Sequence, residues 1–238
     1  MREIAERRRL ALVILHEIAR QFPPEMTQKT SSAAFIALLR ERLGAAPPEG
    51  RLIVAMAGAP ASGKSTLASR MVAALNEDEG TSALLPMDGF HYDDEVLVPA
   101  GWLPRKGAPH TFDVGGLRAT LARLRARDED AVAVPRFDRD LEIARAGAIL
   151  IPRSVRVVVA EGNWLLLDQD PWRSLHPFFD LTVMIVVPED KLAERLRRRW
   201  VRFGLDEEGI RAKLEENDLP NGRLVYAGSI AADWAIRG

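Results

Sequence analysis

The feature that most constrains the fold of this chain is a short glycine-rich segment, Gly58-Ala59-Pro60-Ala61-Ser62-Gly63-Lys64-Ser65. It fits the pattern G-x-x-x-x-G-K-[ST] without deviation, and it lies between an apolar run at 52–57 and a helix pattern over about 64–76. Glycines let the backbone turn successive amide groups toward one point, where they can bind phosphate oxygens. The segment therefore predicts a phosphate-binding loop between a buried strand and a helix.

The residue types in this loop match what a nucleoside triphosphate requires. The helix that follows offers free N–H groups and the positive end of its dipole. Lys64 can reach the β- and γ-phosphates, and the Ser65 hydroxyl can bind Mg²⁺. We therefore expect ATP to bind along the loop and the start of the helix, at Gly58, Ala59, Ala61, Ser62, Gly63, Lys64, Ser65 and Thr66.

Apolar runs of strand length alternate with helix patterns over the rest of the chain. The strand candidates lie at 52–57, 81–87, 131–134, 155–160 and 181–187, and helix patterns follow at about 189–203 and 206–217. Nearly continuous apolar strands that alternate with helices indicate a parallel sheet covered on both faces. We predict an α/β three-layer sandwich whose mainly parallel sheet has five strands.

The first fifty residues have a different pattern. Apolar residues at helical spacing predict one helix over 2–21 and a second over about 27–43, and the segment 45–50 is typical of a linker. The prediction is a helical extension at 1–50 followed by the main domain at 51–238.

Composition excludes several classes of protein. The chain has no cysteine, which excludes disulfides, thiolate nucleophiles and cysteine-bound zinc, and which fits a cytoplasmic location. The net charge of −1 argues against a general nucleic-acid binder, and no run reaches the ~18 apolar residues of a membrane span. We expect no nucleic-acid or membrane partner, while a homodimer remains open. Arginine supplies nearly all of the positive charge, 28 of 33 basic residues.

A carboxylate follows the second strand candidate, in Met87-Asp88-Gly89-Phe90-His91-Tyr92. The carboxyl ends of parallel strands form the edge where ligands bind in open α/β sheets. Asp88 could accept a proton there from a substrate hydroxyl. It could equally cap an Asp-Gly turn, and the spacing alone does not separate the two.

The loop, this strand end and the later segment Glu161-Gly162-Asn163-Trp164-Leu165-Leu166 together resemble the uridine kinase, phosphoribulokinase and type I pantothenate kinase superfamily of P-loop kinases. Within it, the chain most resembles bacterial nucleoside-kinase-like proteins of the fructose transport system kinase group, over about 51–238. The resemblance implies that Asp88 is the general base. It also implies that Glu161, with Ser65, supports Mg²⁺ directly or through water; the alternative for Glu161 is an acid paired with an arginine.

Two further segments resemble the substrate side of these kinases, 105–113 and 135–139. In the first, Lys106 either contacts an anionic substrate or is solvated, and Asp113 is expected to cap the next helix. In the second, Arg136 and Asp138 either bind the substrate or serve as surface charges of a hairpin. The complete set of substrate candidates is Asp88, His91, Tyr92, Lys106, Arg136, Asp138 and Trp164, of which Trp164 could instead be core.

The helix pattern over 189–203 places four arginines on one face, Arg195, Arg198, Arg199 and Arg202. Neighbouring guanidinium groups repel one another without anions, and a polyphosphate is a natural partner. The resemblance implies a lid at about 189–217 that closes over ATP, with Arg195 and Arg198 in catalysis and Arg199 on the nucleotide. A solvated basic face and a local RNA-binding patch are the alternatives.

The function that the resemblance implies is transfer of the γ-phosphate of ATP, with Mg²⁺, to a hydroxyl of a small metabolite such as a sugar or nucleoside. A pantothenate-type kinase is the alternative within the superfamily. A different class, an ATP-hydrolysing switch or assembly factor with no small acceptor, also fits a phosphate-binding loop.

Overall fold

The computed structural model describes residues 28–47, 50–79 and 81–238. The helix predicted over 2–21 lies outside these residues. The described part contains a six-stranded sheet with helices on both faces and a separate two-stranded ribbon.

Every pair of neighbouring strands in the main sheet runs parallel, in the order β1-β8-β7-β2-β6-β3. The ribbon pairs β4 with β5 in antiparallel fashion. The strands are β1 (Gln28–Thr30), β2 (Leu52–Gly58), β3 (Ser82–Pro86), β4 (Ala131–Asp138), β5 (Ile143–Pro152), β6 (Val157–Gly162), β7 (Leu181–Val186) and β8 (Trp234–Arg237).

Seven α-helices and several tighter turns connect these strands in the described residues. The helices are α1 (Ser32–Ala45), α2 (Lys64–Glu79), α3 (Asp94–Leu97), α4 (Val114–Ala126), α5 (Glu189–Arg202), α6 (Glu207–Ala212) and α7 (Leu219–Gly228), and a π-helical segment, Lys213–Asp218, joins α6 to α7. Short 3₁₀ turns lie at Met87–Phe90, Leu103–Arg105, Pro109–Thr111 and Trp172–Phe178.

Strand β2 is central because its side chains enter two different cores. Successive side chains of a strand point to opposite faces. Ile53 and Ala55 pack into the core that α4 covers, whereas Val54 and Met56 pack into the core formed with α1, α2 and α5. This arrangement explains why the strand reads as a continuous apolar run.

The predicted α/β class with a mainly parallel sheet is confirmed, with two differences in detail. The sheet has six strands rather than five, because two strands that the sequence did not predict, β1 and β8, pair with each other at its edge; Gln28–Thr30 was expected to begin a helix. The run at 131–134 is a strand, but it belongs to the antiparallel ribbon. Asp113 caps α4 as predicted, because its carboxylate accepts a 2.8 Å hydrogen bond from the Gly116 amide.

At the amino edge of the sheet, arginines bind backbone carbonyl groups. Arg51 is 5% exposed and donates to the carbonyl oxygens of Leu124, Pro152 and Val155 at 2.7–2.9 Å. Arg156 donates to three carbonyls at and beyond the end of α1, those of Leu43, Ala46 and Pro47. These guanidinium groups satisfy acceptors that a helix end or a loop leaves unpaired.

The carboxyl edge of the sheet gathers the motifs that the sequence singled out. β2 leads into the glycine-rich loop, β3 leads into the turn that carries Asp88, and β6 ends at Glu161 and Gly162. Glu161 lies in register with Met56 on one side and Pro86 on the other. Three neighbouring strands thus deliver the loop and two carboxylates to one place.

Candidate active site

The glycine-rich loop has the backbone geometry of a phosphate cradle. Ala61 and Gly63 have φ angles of 61° and 89°, which turn the chain tightly into α2. The left-handed region favours glycine. A Cβ atom on Gly58 would lie 2.7 Å from the Ser62 hydroxyl, so the loop folds back closely on β2. The Ser62 hydroxyl is buried without a hydrogen-bond partner among the described residues, whereas Thr66 lies exposed in the first turn of α2.

Lys64, Ser65 and Glu161 meet beneath this loop. The Ser65 hydroxyl donates a 2.9 Å hydrogen bond to Glu161 Oε2. Burial lowers the pKa of Lys64, although Glu161 and Asp88 oppose that shift. Burial also raises the pKa of Glu161. A partly buried lysine and a buried carboxylate that act on each other's charge form a site suited to a ligand that brings charges of its own.

The oxygen atoms of Ser65 and Glu161 fit a magnesium ion, which prefers hard oxygen ligands and retains waters or phosphate oxygens. No group of three or more histidine, cysteine or acidic residues within 28–47, 50–79 and 81–238 could hold a metal by itself. The donor set therefore fits an ion that arrives with a nucleotide and takes its other ligands from phosphates and water.

Asp88 lies in the 3₁₀ turn directly after β3, and the ribbon packs tightly against that turn. A Cβ atom on Gly89 would lie only 2.5 Å from the carbonyl oxygen of Pro135 in β4. The glycine is required by this close approach. As a result, Arg139, just past the end of β4, donates a 2.7 Å hydrogen bond to Asp88 Oδ2.

Positive charge surrounds the Asp88 carboxylate. Burial alone would raise the pKa of Asp88, but the charges of His91, Arg139 and Lys64 outweigh burial and hold the pKa below its usual value. The carboxylate is therefore unprotonated at neutral pH. It retains 23% side-chain exposure, so it is open to a ligand.

His91 forms the wall beside Asp88. Its Nδ1 lies 2.8 Å from the Asp88 carbonyl oxygen, and its ring packs on Phe112 and Phe137, with centroid distances of 4.0 and 4.8 Å. Burial lowers the pKa of His91. Tyr92 is held through its backbone amide, which donates to the Thr111 carbonyl, and its side chain is half-buried.

Arg136 and Asp138 of the ribbon were predicted as substrate residues, whereas Arg139 was not predicted. Asp138 accepts hydrogen bonds from the Leu141 and Asp140 amides and from Arg145, so it organises the ribbon turn; the Leu141 bond is the main factor that lowers its pKa. Arg136 is exposed. Strand alternation could have identified Arg139. Residues two apart on a strand share a face, and Phe137, which is apolar, indicates that this face points inward.

Lys106 links the ribbon tip to the loop beside it. Its ammonium group donates to Asp94 Oδ1 and to the Glu142 carbonyl oxygen, both at 2.7 Å, and lies 5.4 Å from the centre of the Phe137 ring. The side chain is 13% exposed. Lys106 is therefore neither solvated nor free for a substrate in this conformation.

Trp164, expected among the substrate residues, is a core residue in the structure. It is 0% exposed, and its indole Nε1 donates a 3.0 Å hydrogen bond to the Gly107 carbonyl oxygen. The prediction that it faces a substrate is corrected, because no part of the side chain reaches the site surface.

The arginine helix α5 lies over the loop, and its arginines differ in position. Arg195 reaches the carbonyl oxygens of Ala61 and Ser62 at 3.4 and 3.3 Å. Burial lowers the pKa of Arg199, and the positive charge of Arg139 lowers it further. Arg198 instead pairs with Glu194 at 3.6 Å and is 68% exposed. Arg195 and Arg199, rather than Arg198, lie toward the site.

The π-helical segment after α6 contacts the loop at 105–107. Asn217 donates to the Lys106 carbonyl oxygen, and Arg105 donates to the Glu216 carbonyl and to Asn221. Asn217 and Asn221 lie in helical structure, and the Asn221 amide donates a 3.1 Å hydrogen bond to Asn217 Oδ1. The helical segment after α6 is thus joined to the loop that carries Lys106.

The fold and this site define a P-loop protein that handles nucleoside triphosphates. None of the helices in the described residues is both long and apolar enough to cross a membrane. No family model matches the sequence.

The sequence is 34% identical over 191 residues to "Uncharacterized protein YggC" of Escherichia coli. The aligned region covers 79% of this chain and 78% of that protein. It is 32% identical over 197 residues to "Putative uridine kinase C227.14" of Schizosaccharomyces pombe, covering 79% and 83% of the two chains. The solved structure of a "putative fructose transport system kinase" from Silicibacter sp. TM1040 matches with a TM-score of 0.80 and 41% identity, over 87% of this chain and 98% of that one. The chain therefore belongs to the superfamily of P-loop kinases that contains uridine kinase and type I pantothenate kinase.

Proposed function

We propose that this protein transfers the γ-phosphoryl group of ATP to a hydroxyl of a small metabolite, a sugar or nucleoside-like alcohol. The observation that carries the proposal is a partly exposed, unprotonated Asp88 on the strand edge beside Lys64 and Glu161. A protein that only bound or hydrolysed ATP would not need a second carboxylate, that of Asp88, beside the packed rings of His91 and Phe137. The names of the kinase relatives support the same reaction class.

In this proposal the loop and the lid hold the phosphates. The loop amides and Lys64 bind the β- and γ-phosphate oxygens, and Ser65 with Glu161 holds Mg²⁺, which neutralises phosphate charge when bound. Arg195, 3.3 Å from the Ser62 carbonyl oxygen, and Arg199 bring guanidinium groups to the same phosphates. Most of the rate acceleration then comes from positioning and charge stabilisation.

Asp88 serves as the general base. The acceptor hydroxyl oxygen forms a bond to the γ-phosphorus while the bond from that phosphorus to the ADP oxygen breaks. The hydroxyl proton passes to Asp88 and then to water. Because neighbouring cations keep the pKa of Asp88 low, the carboxylate is unprotonated at neutral pH, as a general base must be.

A pantothenate-type acceptor is the second candidate. Pantothenate carries a carboxylate as well as a hydroxyl, and the site holds a half-exposed guanidinium, that of Arg139, beside the proposed base. This observation supports an acid as the second class of acceptor.

The test is ADP release from Mg²⁺-ATP in the presence of a panel of nucleosides, sugars, sugar acids, sugar phosphates and pantothenate. We expect at least one hydroxyl compound to raise turnover at least tenfold over the basal rate. Basal hydrolysis that no compound stimulates would indicate the ATP-hydrolysing switch instead. No turnover under any condition would indicate a protein that only holds nucleotide.

A further inference from the structure

The ion pair between Arg139 and Asp88 lies at the centre of the proposed acceptor site. Arg139 Nη2 lies 2.7 Å from Asp88 Oδ2, and its guanidinium also lies 5.8 Å from the centre of the Phe137 ring. The arginine side chain remains 47% exposed. The pair therefore faces the space that an acceptor would enter, and about half of the arginine side chain is accessible there.

Structural stabilisation is a poor explanation for this pair. Exposed and half-exposed ion pairs contribute little to stability, because water screens them. The pair also occupies an oxygen of the carboxylate that must accept a proton. A permanent contact at Oδ2 would leave only Oδ1 for the proton and would weaken the base, so a ligand that takes the guanidinium away would strengthen the base.

We propose that Arg139 binds an anionic group of the acceptor, a carboxylate or a phosphate, and that the acceptor is therefore a small hydroxy acid or a sugar phosphate rather than a neutral alcohol. This inference rests on the proposed kinase function, whose acceptor class it narrows.

The guanidinium has the geometry for this exchange of partners. Its planar set of donors can bind two oxygens of a carboxylate or phosphate at once. When the acceptor anion takes Arg139, Asp88 Oδ2 is released to receive the hydroxyl proton. A neutral acceptor brings no anion, so Arg139 would remain on Asp88 and the base would stay masked.

The other charged groups nearby are already committed. Lys106 is held by Asp94 and the Glu142 carbonyl oxygen. Arg195 contacts the phosphate-binding loop from the lid, and Arg199 stacks beside Trp200, 5.3 Å from the ring centre. Arg139 comes from the ribbon, and although its charge acts on Lys64 and Arg199, its hydrogen bond is to Asp88, the proposed base, which assigns it to the acceptor.

The experiment compares acceptors in pairs that differ in one anionic group: glycerate with glycerol, gluconate with glucose, fructose 1-phosphate and fructose 6-phosphate with fructose, and pantothenate with panthenol. Steady-state kcat/KM is measured for each with the full chain. We expect the anionic member of the accepted pair to be preferred by about 10- to 100-fold, the value of a charged hydrogen bond. The carboxylate and phosphate arms identify which anion is bound.

The variant Arg139→Gln removes the charge but keeps a polar side chain. We expect it to raise KM for the anionic acceptor by about 10- to 100-fold, with KM for ATP changed less than about twofold, and calorimetry without ATP to show the same loss of acceptor binding. Arg123→Gln is the matched control, because Arg123 has a similar exposure of 46% and pairs with Glu129 at 2.6 Å far from the site. It should change neither constant.

The possible outcomes distinguish the role of Arg139 from the proposed kinase function. If a neutral member of a pair is used as well as the anionic one, or if Arg139→Gln raises KM for ATP as much as for the acceptor, the inference about Arg139 is wrong while the kinase function stands. If no compound stimulates turnover, the kinase function itself fails and the inference fails with it.

Discussion

The two edges of the main sheet use their positive charges in opposite ways. At the amino edge, Arg51 and Arg156 each donate to three or more backbone carbonyl groups, and Arg125 donates to two carbonyls and to Asp180. At the carboxyl edge, Lys64 and Arg139 face carboxylates, and Arg199 is stacked on aromatic rings.

The difference separates arginines that hold the fold from those placed for a ligand. A guanidinium bound to several fixed carbonyls is held in place, and its loss leaves those acceptors unpaired. At the carboxyl edge, burial lowers the pKa values of Lys64 and Arg199, and the nearby charge of Arg139 lowers both further. The carboxyl edge therefore holds several positive charges close together, and binding of a polyanion there would be favourable.

The largest expected effect comes from Asp88→Asn at the carboxyl edge. Removal of the general base should lower kcat by about 10²- to 10⁴-fold. The unfolding free energy should change by less than about 1 kcal/mol, since only a half-exposed ion pair is lost. Stopped or coupled assays of ADP release give kcat, and urea titration followed by circular dichroism gives stability. A variant that retained full kcat would remove Asp88 from the mechanism.

The opposite pattern is expected for Arg51→Met at the amino edge. Loss of three short hydrogen bonds to buried carbonyls should lower the unfolding free energy by about 2–4 kcal/mol. The kcat/KM of the folded fraction should stay within about twofold of the parent, because the site lies at the other edge. Arg123→Met, an exposed pair, is the control and should cost under about 1 kcal/mol. Equal losses in the two variants would contradict the structural role of Arg51.

The contact between the Asp88 turn and the ribbon is tested by Gly89→Ala. The added Cβ would lie 2.5 Å from the Pro135 carbonyl oxygen, so turn and ribbon must move apart. We expect a loss of about 1–3 kcal/mol in unfolding free energy and a lower kcat/KM. Gly44→Ala is the control: it lies in α1 with open space around its Cβ and should not destabilise the protein.

The smallest effect is a change in pH dependence. Asp88 must be unprotonated to act, so kcat/KM falls as the pH drops through its pKa. Burial raises that pKa, and the charges of His91, Arg139 and Lys64 lower it; Arg139→Gln removes one of the lowering charges. The acid limb of the kcat/KM profile should therefore move to higher pH in this variant and stay in place in Arg123→Gln. A limb that stayed or moved to lower pH would show that Arg139 does not act on the base.

The parts of the fold and the site that could be predicted are those with a local signal. The phosphate-binding loop, β2, β6 and α5 each carry their pattern in consecutive residues. The pairing of Gln28–Thr30 with β8 could not be predicted, because a three-residue edge strand has no period and its partner lies about two hundred residues away. The ribbon partner β5 was missed for a related reason: half of it is exposed, and Arg145 and Gly147 interrupt its apolar pattern.

Within the site, the residues of the loop were predictable and the acceptor side was not. Glu161 and Asp88 follow apolar strands, and that position alone places them at the carboxyl edge. The positions of Lys106, Arg136 and Asp138 depend on how a ribbon turn folds, which the spacing of their charges does not encode. Arg139 was not predicted, because a strand pattern identifies a face but not the partner that the face meets. The catalytic role predicted for Arg198 stays a prediction; here the side chain pairs with Glu194.

The separation of the ribbon from the main sheet has a consequence for how members of such a superfamily can diverge. The sheet supplies the loop, Lys64 and Glu161, whereas the ribbon supplies Phe137 and Arg139. A substitution near the end of β4 can therefore exchange one acceptor for another while the machinery that handles ATP stays intact. The ribbon is the interchangeable module of the molecule, and redesign of its acceptor preference should begin there.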